Sequence, residues 1–203
     1  MMNAKTKSII TVGIVAILIL VGSFFLIKTR VAVSQNRLAN NITRAVQNKD
    51  GKLFLKQFSK DNQNIKFSEI GAQSVVKDLH DNATDPTSEI GKIITDGRSV
   101  AGTKADYSFT VETKKVMGFF TSYYLTTRKS PVRVTNYTGY GDDMTIKMTS
   151  GGKNQTVTKS ELSSGLFPGR YDFEVTSGGE DDGSYWVRPA GDGDTIDLTV
   201  TDY

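Results

Sequence analysis

Cysteine is absent from this 203-residue chain and histidine occurs once, as His80. Without thiols there is no disulfide, no zinc–thiolate site, no cysteine nucleophile and no lipid-modified cysteine anchor. A single His80 cannot supply the paired imidazoles of a catalytic metal site, and no nucleophile elbow accompanies it. It reads as a helix-end polar residue. Charge of one sign is also scarce, with a formal net charge of only +3. Acidic groups do cluster, at Asp142 with Asp143, at Glu180, Asp181 and Asp182, and at Asp192 with Asp194. None has the ligand spacing of a calcium-binding loop, and Asp beside Gly is ordinary turn chemistry. "GDGD" lacks the Lys-Ser/Thr that ends a phosphate loop. The sequence therefore predicts no catalytic set, no metal and no cofactor, and the chain is expected not to be an enzyme.

What is present is one long apolar run. Residues 9–27, "IITVGIVAILILVGSFFLI", contain no charge, and at about 1.5 Å per residue a helix of that length spans roughly 29 Å, the thickness of a bilayer core. Secretory-signal apolar regions are shorter and lead to a small-residue cleavage site, whereas "KTR" follows here. The run predicts a transmembrane helix. Lys5 and Lys7 precede it while Lys28, Arg30, Arg37 and Arg44 follow, so charge counting does not orient it. Charge is also uneven farther on. Residues 28–133 hold 18 Lys plus Arg against 10 acids, a balance of +8, while residues 171–203 hold one Arg against nine acids, a balance of −8.

Periodicity divides the rest of the chain. Val31, Leu38, Ile42, Ala45 and Val46 lie near helical spacing. Asp50 suits the cap of a short helix over "GKLFLKQFS", and Ser68 that of "EIGAQSVVKDLH", with Ile70, Val75, Val76 and Leu79 on one stripe. A third helical run begins near Pro86. Past Asp106 the period becomes 2, in "YSFTVET", "FFTSYYLTT", "VRVTNY", "MTIKM", "QTVT", "YDFEV", "SYWV" and "TIDLTV". Before "YDFEV", Pro168-Gly169 predicts a tight turn, type II if Gly169 takes a positive φ, with Leu166, Phe167, Tyr171, Phe173 and Val175 entering one core. The expected fold class is a single transmembrane helix followed by a small all-α unit and an antiparallel β-sandwich module, α+β overall. The expected divisions are a cytoplasmic tail (1–8), a transmembrane helix (9–27), a helical membrane-proximal domain (28–96), a linker (97–105) and a β-sandwich-like domain (106–203).

One surface candidate stands out. Lys114, Lys115, Arg128, Lys129 and Arg133 are interleaved with Phe119, Phe120, Tyr123 and Tyr124. Such a mixture can bind nucleic acid, but next to a membrane segment an anionic wall polymer or lipid headgroup is the expected partner, and nucleic acid is not.

The segments "ITRAVQNKDGKLFLKQFS" and "KFSEIGAQSVVKDL", then "VRVTNYTGYGDDMTIKMTSGGK" and "LFPGRYDFEV", resemble the TcaA family of Gram-positive membrane proteins, associated with teicoplanin susceptibility and cell-wall stress. The cysteine pairs of that family's zinc ribbon are absent here. The resemblance implies a cell-membrane location, single-pass, with the amino terminus cytoplasmic and Lys28 onward extracellular. It also implies a module that binds or senses an envelope component. Its partners would be the lipid bilayer and an anionic cell-wall polymer or another envelope protein. The alternative is a structural or assembly subunit of a surface or secretion complex.

Overall fold

A computed structural model of the chain describes residues 31–82, 109–135, 145–150, 152–176, 180–187 and 194–197. The chain divides into two units, one of residues 35–112 and 124–203 and a smaller one of residues 1–34 and 113–123.

In the larger unit, Leu38, Ile42, Ala45 and Val46 fall on one face of α1 (Gln35–Gln47) and are all buried. Asp50 caps α2 (Gly51–Leu55), its carboxylate accepting from the Leu53 N–H at 2.9 Å. Ser59 caps α3 (Lys60–Gln63) in the same way. In α4 (Ser68–Asn82), Ser68 is no cap; its hydroxyl donates to the Gln63 carbonyl at 2.6 Å. The strands come next, as β1 (Thr110–Val116), β2 (Phe120–Thr126), β3 (Val132–Thr135), β4 (Thr145–Ser150) and β5 (Lys153–Val157). A five-residue helix, α5 (Lys159–Ser163), precedes β6 (Gly169–Thr176), β7 (Glu180–Val187) and β8 (Asp194–Asp197). The Thr158 hydroxyl and the Glu161 carboxylate close a reciprocal capping box on α5, which gives so short a helix a fixed first turn.

These elements correct the expected fold class. Among the described residues the strands form no antiparallel sandwich: β5-β4-β6-β7 is a four-stranded antiparallel sheet, β1 pairs with β2, and β3 pairs with β8 in parallel. No described helix is long and apolar enough to cross a membrane. The run 9–27 lies outside the described residues, as do the tail 1–8, the third helical run and the linker 97–105. Nor are helices and strands separate modules. Gly71, Ala72, Ser74, Val75, Val76, Asp78 and Leu79 of α4 are all buried, too many directions for a helix that faces one neighbour.

The seam between α4 and β6 shows why. Gly71 and Gly169 meet so closely that a Cβ on Gly169 would fall 2.9 Å from the Gly71 Cα. The φ of Gly169 is not left-handed, so the condition for a type II turn is not met: this glycine is required by the approach of two backbones. Beside it the Arg170 N–H donates to Ser74 Oγ at 2.7 Å, and the Ser74 hydroxyl donates to the Arg170 carbonyl at 3.1 Å. The Ser150 hydroxyl donates to the same carbonyl. Tyr171, with no exposed surface, donates to the Phe167 carbonyl at 2.6 Å. Its burial pushes the phenol's pKa up, so it stays a neutral donor.

Tyr171, Phe173, Ile146, Met148, Val132, Val157, Leu162 and Leu166 form one core, with Phe67, Ile70 and Val134 packed on it. The expected inward face of β6 is thus observed at Tyr171 and Phe173, together with Leu166 and Phe167. The side chain of Val175 lies outside the described set. Edge-to-face rings continue the apolar interior, Phe58 meeting Phe54 at 5.2 Å, Phe109 at 5.3 Å and Phe167 at 5.1 Å between centroids.

Candidate functional site

The five basic residues singled out in sequence are divided between the units. Arg128, Lys129 and Arg133 belong to the larger and Lys114 and Lys115 to the smaller. All five are exposed.

The three in the larger unit project from backbone that is fixed on both sides. On one side the buried Asn62 side chain acts as a surrogate strand, its amide donating to the Thr127 carbonyl at 2.7 Å and accepting from the Thr127 N–H at 3.1 Å. On the other, fully buried Ser130 exchanges both backbone hydrogen bonds with Leu166, at 3.0 and 2.8 Å. Two residues on, buried Val132 is in register with Asp194. Gly165, with a φ of 94°, lies against Lys129 so closely that a Cβ there would be 2.7 Å from the Lys129 Cβ. Among the described residues none of these three cations forms an ion pair. Elsewhere two lysines are engaged: Lys66 pairs with Glu161 at 2.9 Å, and Lys49 with Asp81 at 2.7 Å. Lys66 and the Thr158 N–H hold the Glu161 carboxyl below its ordinary range.

In the smaller unit, Lys114 and Lys115 lie on β1 just before the connection to β2. Lys115 Nζ donates across the hairpin to Thr121 Oγ1 at 2.9 Å. The neighbouring aromatics divide: Phe120 is buried, while Phe119 is 58% exposed. In the larger unit, Tyr124 donates to Glu112 at 3.2 Å, and desolvation followed by that carboxylate raises its pKa. The exposed apolar pair Met117 and Phe119 was not singled out in the sequence, where Phe119 was named only among the aromatics interleaved with the basic residues and Met117 not at all. The signal was there in "VMGF", a hairpin connection whose only turn former is glycine.

His80 is exposed in the last turn of α4, its Nδ1 2.8 Å from Asp81 Oδ1. Lys49 first and His80 second draw the Asp81 pKa down. Among the described residues no three His, Cys, Asp or Glu side chains group as metal ligands. Glu180, Asp181 and Asp182 lie in β7 rather than in a turn, opposite Thr176, Val175 and Glu174. β7 is an outer strand of the four-stranded sheet. Asp142, Asp143 and Asp192 fall outside the described residues.

Compared with known proteins, the chain matches no family model, no curated protein and no solved structure.

Proposed function

We propose that this chain is a non-enzymatic, membrane-associated module of the cell envelope that binds an anionic envelope component, with Arg128, Lys129 and Arg133 as its principal contacts. The observation that supports this reading is the placement of three exposed cations within six residues, on backbone anchored at Thr127, Ser130 and Val132. Fixed backbone lowers the entropic cost of presenting the charges together, and unpaired surface cations attract a polyanion without first losing an internal partner. The charge-free run at residues 9–27 supports a membrane location, and the likeness to the TcaA family suggests that the domain faces the wall.

The test is cosedimentation with purified cell walls. The chain with Arg128→Glu, Lys129→Glu and Arg133→Glu should pellet less than the wild type at low salt and keep the same unfolding transition. Binding by the wild type should fall as the Debye length shortens from about 10 Å at 0.1 M salt to about 3 Å at 1 M. Equal pelleting by both proteins across that range overturns the assignment.

A further inference from the structure

Three large apolar residues are exposed among those described, Val31 at 41%, Met117 at 60% and Phe119 at 58%, and all three belong to the smaller unit. Two of them sit at the tip of the β1–β2 hairpin. Met117 and Gly118 both have positive φ, 53° and 80°, and a Cβ built on Gly118 would meet nothing within 4 Å. Lys114 and Lys115 precede this tip on β1. Successive strand residues point to opposite faces, so the two ammonium groups flank it on both sides.

We infer that this hairpin tip docks on an anionic lipid bilayer, with Met117 and Phe119 entering the interface and Lys114 and Lys115 meeting headgroup phosphates. The inference deepens the membrane-associated reading above and rests on it. Phe119 packs edge-to-face on Phe120 at 4.5 Å between centroids yet keeps 58% of its surface exposed; a hydrated wall polymer offers no apolar phase to that surface or to Met117, whereas the acyl boundary of a bilayer accepts both. Lysines beside an apolar tip complement anionic headgroups.

Chain connectivity supports the same partner. The Val33 N–H donates to Ser122 Oγ at 3.0 Å, and the Tyr123 N–H donates to the Val33 carbonyl at 2.9 Å. Val33 is six residues beyond Ile27, the end of the apolar run, a span of at most about 20 Å. Phe119 is three residues before Ser122, at most about 10 Å along the strand. A bilayer that holds residues 9–27 therefore has the hairpin tip within reach.

The absence of cysteine makes the test clean. The full chain carrying Met117→Cys, labelled with an environment-sensitive fluorophore, is incorporated into vesicles of brominated phosphatidylcholine with or without phosphatidylglycerol. The same chain labelled through Thr156→Cys, an exposed position on β5, is the control. Flotation reports association, and bromine quenching reports insertion. Quenching at position 117 but not 156, in vesicles containing phosphatidylglycerol, is expected. At about fivefold per lysine, Lys114→Gln with Lys115→Gln should weaken docking roughly 25-fold. Flotation with no more quenching at 117 than at 156 overturns the inference and leaves the membrane location standing. Failure to float overturns the location, and the inference with it. Equal quenching in both lipid mixtures, unaffected by the lysine changes, overturns headgroup recognition.

Discussion

The α4–β6 seam and the β1–β2 tip use glycine and its alternatives in opposite ways. At the seam, Gly71 and Gly169 have φ values open to other residues and are glycine because no Cβ fits. At the tip, Met117 holds a φ of 53° that favours glycine, yet carries a long apolar side chain into solvent. One region gives up side chains so that backbones can touch; the other accepts backbone strain so that a side chain can be displayed. A non-glycine residue in that conformation costs on the order of 1–3 kcal/mol, and at Met117 the cost falls on an exposed apolar residue.

The largest way to break this contrast is in the core behind the seam. Phe173→Ala should cost about 3–5 kcal/mol in urea unfolding, because it empties a buried site stacked on Tyr171 at 6.4 Å. Asp172→Asn, on the other face of the same strand, weakens an exposed contact with Arg170 at 3.3 Å and should change stability by less than about 0.5 kcal/mol. The reverse order would mean that β6 turns its other face inward. Next, Gly169→Ala should cost about 1–3 kcal/mol by overpacking against the backbone of Gly71; a neutral result would show that the seam can open freely. The smallest effect is expected at the tip, with opposite sign. Met117→Gly should stabilise the chain by up to about 1 kcal/mol through relief of the left-handed conformation, while weakening bromolipid quenching of a label at Phe119→Cys. Loss of stability instead would make Met117 a packing residue.

Local patterns were legible. The cap at Asp50, the buried stripes of α1 and α4 and the inward face of β6 each derive from spacing within about ten residues, the range over which sequence periodicity reports structure. Contacts between distant segments were not. Nothing local marks Asn62 as a partner for Thr127, Ser74 for Arg170, or β3 for a parallel strand some sixty residues later. The glycine in "PG" was read as a turn because its true neighbour, Gly71, is remote. α5 was missed because five residues carry no period, although Thr158-x-x-Glu161 before Leu162 is a capping-box signature. Of the candidate site, composition identified five cations, and all are exposed. That they divide between two units depends on where the hairpin folds back, which composition does not encode.

The Ser74–Arg170 pairing also sets a timetable. Its partners are 96 residues apart, so during synthesis at about 5–20 residues per second α4 waits roughly 5–20 s for β6 to emerge. Until then Gly71, Ser74 and their apolar neighbours on α4 lack the strand that covers them. The amino-terminal helices therefore complete their packing only once β6 is made, and a chaperone that shields apolar helix surface should raise the yield of this chain most when it acts before residue 170 is made.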